Sequence, residues 1–189
     1  MVRSSRNSQS AAAGSPRERS DHLTYLGLGS NLDDPQRQLE SAIEAIRQLP
    51  RTKVLRRSPM YVSQPWGKLD QPDFLNMVVE VRTSLAPDSL LRYCKEIEAE
   101  HGRLEGERWG PRQLDIDILI LGDRVIHTPT LEVPHARMWE RAFVLRPLAD
   151  LRPDLKSPDG TPITELLRRE RIASQGVWPY EKIETRIEK

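Results

Sequence analysis

The amino-acid sequence predicts an α+β fold: an antiparallel sheet with helices on both faces. Three observations predict it. Apolar residues alternate with a period of two through 74–83. They recur at helical spacing through 34–50 and 87–101. The segments follow one another as strand, helix, strand, strand, helix, strand.

Taken in order, Leu23 to Gly29 (LTYLGLG) reads as a buried first strand. Asp34-Pro35 then offers an N-cap followed by proline at the first helical position. Leu39, Ala42, Ile43, Ile46 and Leu49 form one helical stripe up to Pro50. Lys53 to Val62 is expected as one second strand, and a Pro/Gly/Gln-containing loop follows over 63–72. Phe74 to Thr83 is the third strand, with Leu75, Met77, Val79 and Val81 on one face. Pro87 starts a second helix, which ends near His101 with Gly102 as its C′ residue. A charged loop spans 103–113, a strand spans 114–121, and Gly122-Asp123 turns it back on Arg124 to His127. Helical pieces around 137–148 and 162–171 are expected to cover the second sheet face. The order βαββαβ is the ferredoxin-like arrangement.

The strand at 114–121 carries the chemistry. Asp115 and Asp117 stand one residue apart in an apolar run, just after Arg108-Trp-Gly-Pro-Arg112. Alternation puts both carboxylates on one face, with Cα atoms roughly 6.5–7 Å apart. Leu114, Ile116, Ile118 and Ile120 would form the other, wholly apolar face. The acidic face turns apolar again at Leu119 and Leu121, so a central strand with both sheet faces covered is expected. Paired carboxylates at the mouth of such a strand are costly without a cation. Mg²⁺ suits them, since it takes one or two carboxylates plus substrate phosphates. Arginines nearby can grip the same phosphates bidentately. The residues therefore point to metal-assisted phosphate transfer.

At 189 residues one domain with tails is expected. The net charge of +1 gives no global field for nucleic acid or membrane surfaces. His101, Arg103, Arg108 and Arg112 cluster locally instead, which suits a small anionic ligand. The single cysteine, Cys94, excludes an internal disulfide and shares a helical pattern with Leu90, Leu91 and Ile97, so a buried thiol is expected. No apolar run reaches the ~20 residues that span a membrane. Residues 1–21 are rich in Ser, Ala and Arg and lack the apolar stretch of a signal peptide. They are expected as a disordered tail. Residues 22–175 form the catalytic domain, and 176–189 a peripheral charged tail.

Several familiar sites are missing. Gly27-Leu-Gly29-Ser-Asn-Leu32 is not G-x-G-x-x-G, and no G-x-x-x-x-G-K-[ST] loop occurs. The four histidines lack H-x-x-x-H spacing, which argues against zinc. Phe74 and Asn76 share a strand face, so a ring and an amide could together hold a flat heterocycle. Another two-metal phosphate enzyme and an RNA-binding module on the same fold remain alternatives at this point. The RNA-binding reading lacks the aromatic K/R-G-F/Y-G/A-F-V-x-F/Y segment.

Four segments together resemble a known family: Tyr25-Leu-Gly-Leu-Gly-Ser-Asn31, Asp70-Gln-Pro-Asp-Phe-Leu-Asn76, Arg108-Trp-Gly-Pro-Arg-Gln-Leu-Asp-Ile-Asp117 and Val133-Pro-His135. The chain is similar to the 6-hydroxymethyl-7,8-dihydropterin pyrophosphokinases of folate biosynthesis, from about Leu23 to Asp159. The resemblance implies pyrophosphate transfer from ATP to the pterin hydroxymethyl group with release of AMP. It implies two Mg²⁺ ions on Asp115 and Asp117, with Arg103 and Arg112 as catalytic cations. Glu98, Arg108, Trp109, Arg112, Ile118, His135 and Arg141 would line the ATP site. Phe74 and Phe143 would sandwich the pterin, while Asn76, Asp115 and the chain at Ser63, Pro65 and Trp66 read its edge. Glu105 stands where many relatives have a second loop arginine, and Ala136 where an aromatic is common. A cytoplasmic monomer acting on these small molecules, with no nucleic-acid or membrane partner, is the expectation.

Overall fold

The computed structural model describes residues 21–67, 69–102 and 110–181. Its first strand, β1 (His22–Ser30), leads through Asp34 into helix α1 (Pro35–Arg47). The Asp34 carboxylate accepts the Arg37 main-chain N–H at 3.1 Å, and Pro35 occupies the first turn. Leu39, Ala42, Ile43 and Ile46 are the helix's buried residues, the expected stripe. Strands β2 (Thr52–Arg57) and β3 (Tyr61–Ser63) precede β4 (Phe74–Thr83). Helix α2 (Pro87–Glu100) and strand β5 (Asp115–Leu121) complete the βαββαβ core.

The main sheet runs β5-β1-β4-β3, with β2 also on β4, and all pairs named here are antiparallel. Strands β2 and β3 follow one another along the same neighbour and do the work of one ferredoxin-like strand. The single strand expected over 53–62 is therefore interrupted. Pro59 has no N–H to offer the ladder. Ser58 keeps the chain in place there: its N–H donates to the Val78 carbonyl at 2.9 Å. Its hydroxyl accepts the Val78 N–H at 3.0 Å.

Strand β5 departs from simple alternation. Tyr25 faces Ile120 while its neighbour Leu26 faces Ile118, so Leu119 is an extra residue, a β-bulge. Leu114, Ile116 and Ile118 pack with α1 and α2 as expected, but Leu121 joins them. Leu119 and Ile120 pack on the opposite face. The expected faces of Ile120 and Leu121 are thus exchanged.

That opposite face is covered by α3 (Ala142–Leu151), α4 (Ile163–Leu166) and α5 (Glu170–Ala173), giving helices on both sides of the sheet. Short strands β6 (Ile126–His127) and β7 (Glu132–Val133) pair with each other; β6 does not fold back on β5. Strand β8 (Val177–Pro179) pairs with β3 and extends the sheet to β5-β1-β4-β3-β8. Residues 177–179, expected from the sequence to belong to a peripheral tail, thus pair in this sheet. No described helix is long and apolar enough to cross a membrane.

Candidate active site

Sheet register builds the floor of the site. Gly29 lies opposite Asp115 on one side and Asn76 on the other. Gly27 lies opposite Asp117 and Val78. Directly opposed residues project to the same face. Two glycines thus separate the acidic pair on β5 from Asn76 and Val78 on β4. A Cβ at residue 29 would come 3.3 Å from Asn76 Oδ1, so glycine leaves a trough between carboxylate and amide. The trough opens into a cavity of about 440 Å³. Its other walls are the chain at Ser63–Trp66, the segment His135–Arg137 and the start of α3.

One wall is ionic. Asp115 Oδ2 takes a hydrogen bond from Arg112 Nη1 at 2.6 Å. Asp117 Oδ2 lies 3.9 Å from His135 Nε2. His135 Nδ1 accepts the Arg137 main-chain N–H at 3.3 Å, so a neutral ring carries its proton on Nε2, toward Asp117. The bulged residue helps place this histidine, because the His135 N–H donates to the Leu119 carbonyl at 2.9 Å. The peptide before it, Val133-Pro134, is cis. Enclosure by protein raises the Asp117 pKa, and the neighbouring charge of Asp115 raises it further. The same enclosure lowers the Arg141 pKa, against the attraction of Asp117.

The residues present fit a divalent cation. Asp115 and Asp117 are hard oxygen donors on one face, and their mutual repulsion is the signature of a site that needs positive charge. No cluster of three or more acidic, histidine or cysteine ligands occurs among the described residues. A pair of carboxylates is enough for Mg²⁺, which uses few protein ligands and completes its shell with phosphate and water.

The other wall suits a flat, polar molecule. Asn76 is buried, and its Nδ2 donates to Ser63 Oγ at 2.9 Å, with the Tyr61 and Phe74 carbonyls at 3.3 Å each. The amide's orientation is thereby fixed. Phe74, Phe143 and Trp66 line the same cavity. Pro65 is buried and does not line it.

Two other expected residues stand behind the cavity. Ile118 is buried in the core with α1 and α2, which leaves only its main chain for a ligand. Glu98 is 1% exposed and accepts the Ile116 N–H at 2.7 Å. Among the described residues β5 pairs only with β1, so it is an edge strand and not the central one expected, and this carboxylate satisfies a main-chain donor next to the acidic pair. Glu98 also holds Lys95 Nζ at 2.8 Å. Burial raises the Glu98 pKa, opposed by Lys95. Arg103, Glu105, Arg108 and Trp109 lie outside the described residues.

Lys95 and Arg137 line the cavity and were not singled out from the sequence. Arg137 was within reach, because His135, Arg137 and Arg141 form a basic run. Lys95 gave no such signal; it sits on a helix whose charged residues read as a solvated face. Lys95, Arg112, Arg137 and Arg141 together surround two carboxylates, a surplus of cationic groups suited to a polyphosphate.

The model of the 7,8-dihydro-6-hydroxymethylpterin-pyrophosphokinase family matches residues 25–153. The chain belongs to this family. It is 50% identical over 143 residues to the 2-amino-4-hydroxy-6-hydroxymethyldihydropteridine pyrophosphokinase of Pseudomonas aeruginosa, covering 76% of this chain and 88% of that one. The enzyme of the same name from Haemophilus influenzae is 43% identical over 145 residues, covering 77% and 91%. Among solved structures, a Plasmodium falciparum HPPK-DHPS superposes with a TM-score of 0.62 at 17% identity, over 79% of this chain. The match spans 45% of that longer chain and supports the fold shared across the family. The ferredoxin-like core and the pyrophosphokinase resemblance agree on one architecture.

Proposed function

We propose that this pyrophosphokinase-family chain transfers pyrophosphate from ATP to 6-hydroxymethyl-7,8-dihydropterin in folate biosynthesis, with the two walls of the cavity dividing the substrates. The observation that carries the division is the register: Asp115 and Asp117 face Asn76 and Val78 across two glycines in one trough. ATP phosphates belong to the ionic wall. The pterin belongs between Phe74 and Phe143, with Asn76 and the chain at Ser63–Trp66 at its polar edge.

In the reaction the pterin hydroxymethyl oxygen attacks the β-phosphorus of ATP. The bond from that phosphorus to the α–β bridging oxygen breaks, AMP leaves, and the hydroxyl proton passes to solvent. Asp115 and Asp117 would hold two Mg²⁺ ions, which supply neutralisation of phosphate charge and alignment of the reacting oxygens. Arg112 has the planar fork to follow charge onto the transferred group. His135 and Arg141 would grip phosphate beside Asp117, with Lys95 and Arg137 on the same wall. A loose phosphoryl transition state asks mainly for positioning and charge neutralisation, and these residues supply both. A monomer as the working unit belongs to the same proposal. A cytoplasmic location belongs to the same proposal, since ATP is abundant there.

An AMP-release assay with ATP, Mg²⁺ and the reduced pterin tests the reading. AMP should appear only when all three are present. AMP formation at the same rate without pterin would point to a different phosphate chemistry.

A further inference from the structure

Asn31 holds two loops at once. It follows β1 directly and is 3% exposed. Its Oδ1 accepts the Arg112 main-chain N–H at 2.8 Å. Its own N–H donates to the Arg112 carbonyl at 3.0 Å. On the other side, Nδ2 donates to Gln71 Oε1 at 3.0 Å and to the Pro72 carbonyl at 2.9 Å. Both amide hydrogens and the amide oxygen are therefore engaged. The chain at 110–114 carries Arg112 into the acidic strand. The chain at 64–73 runs from Ser63 and Trp66 to Phe74 and Asn76. The supports of the two walls meet at one planar side chain.

We infer that Asn31 is a positioning residue through which nucleotide and pterin binding favour one another, given the division of the cavity set out above. A ligand that orders Arg112 fixes the Asn31 amide plane. The amide then presents both hydrogens to the Gln71–Pro72 segment in their final place. The second ligand has less chain left to order and binds more tightly. The coupling is reciprocal by thermodynamic necessity. A buried amide is suited to the task, because each hydrogen bond it fails to make costs desolvation that water does not repay.

The two sides of the amide can be separated. Asn31→Asp keeps the shape and the acceptor for the Arg112 N–H, and loses both donors to 71–72. Gln71→Leu removes an acceptor from the other side while Asn31 stays intact. Gln71 does not line the cavity.

The test is calorimetric titration of the full chain with 6-hydroxymethyl-7,8-dihydropterin, alone and with saturating Mg²⁺ and α,β-methylene ATP. In the parent protein the nucleotide should raise pterin affinity by a factor within about 5–150, the usual range of coupling between sites. In both variants that factor should fall to within about twofold of one, with pterin affinity in the absence of nucleotide changed by less than about threefold. A merely structural residue would lower melting temperature and leave the factor intact. Retention of the full factor in both variants overturns the inference, as does a parent protein that binds both ligands with no coupling. A parent that binds neither ligand overturns the division of the cavity itself, a distinct result. Should Asn31→Asp fail to fold, Gln71→Leu, on a partly exposed residue, decides alone.

Discussion

The Arg112 guanidinium rests on a carboxylate of the proposed metal pair, with Nη1 2.6 Å from Asp115 Oδ2. The arginine is thus held beside the place proposed for the ATP phosphates. Its main chain is held by Asn31 through both the N–H and the carbonyl.

An arginine that gains its main contact in the transition state affects turnover more than ground-state binding. Arg112→Ala should therefore lower kcat by about 10²-fold or more, the scale of losing a positioned cation, with a much smaller change in ATP dissociation constant. Lysine should restore little, since it lacks the bidentate fork. Single-turnover kinetics beside equilibrium ATP titration check this. Equal losses in both would reduce Arg112 to a binding residue.

Asp117 supplies a pH prediction. Enclosure and the charge of Asp115 raise its pKa in the folded protein above the ordinary carboxyl value of 3.8. The ionised group therefore opposes folding. That opposition is fully present above the folded pKa and fades as pH falls through it toward 3.8. Without Mg²⁺, Asp117→Asn should melt at a higher temperature than the parent near neutral pH, and the difference should shrink on acidification. The same variant should lose Mg²⁺-dependent turnover. Calorimetric scans across a pH series give the sign, and a variant less stable than the parent at neutral pH contradicts it.

Much of this was legible in the sequence because it depends on side-chain period. The stripe Leu39, Ala42, Ile43 and Ile46 and the face Leu75, Met77, Val79 and Val81 needed only counting. Asp115 and Asp117 shared a face for the same reason. What the period could not show was a change of period. The bulge at Leu119 arises where β5 pairs with Tyr25 and Leu26, and it exchanges Ile120 and Leu121 between faces. The break at Pro59 was visible as a residue, but the retained Ser58–Val78 pairing was not. Strand β8, three residues ending in proline, is too short to carry a pattern and exists through its pairing with β3. In the site, the partner of Glu98 was hidden, since its contact with the Ile116 N–H follows from β5 lying at the edge of the described sheet.

A stability prediction lies away from the chemistry. Tyr25 and Glu80 are directly opposed on β1 and β4 and both are buried. Burial pushes the Tyr25 hydroxyl up to about 12, helped by its hydrogen bond to Glu80. Arg56 pairs with the same carboxylate and also donates to the Leu151 carbonyl at 2.8 Å, tying the end of α3 to the sheet. Tyr25→Phe deletes one hydrogen bond to a buried acceptor and should cost about 1–2 kcal/mol. For a domain of this size that lowers Tm by about 2–4 °C per kcal/mol. Kinetic constants should stay unchanged, because the cluster does not line the cavity. Thermal melts and steady-state assays on the same sample separate the two effects.

The pterin wall gives the last prediction. Asn76 has its Nδ2 committed to Ser63 Oγ, which turns its Oδ1 toward the trough at Gly29. A pterin ring has amide and amino N–H groups along one edge, and an acceptor fixed in that direction can read them. Asn76→Ala removes the acceptor and leaves Ser63 Oγ, itself buried, without this donor. Lost polar contacts of this kind cost about 1–3 kcal/mol, or roughly 5- to 150-fold in pterin affinity. Nucleotide affinity measured without pterin should change little, since Asn76 stands across the trough from the acidic pair. Asn76→Asp keeps an acceptor but loses the donor that fixes its direction, so it should fall between parent and alanine. Calorimetry with each ligand separately checks the split. A variant whose ATP affinity drops while its pterin affinity holds would place the nucleotide, and not the pterin, on the β4 side of the cavity.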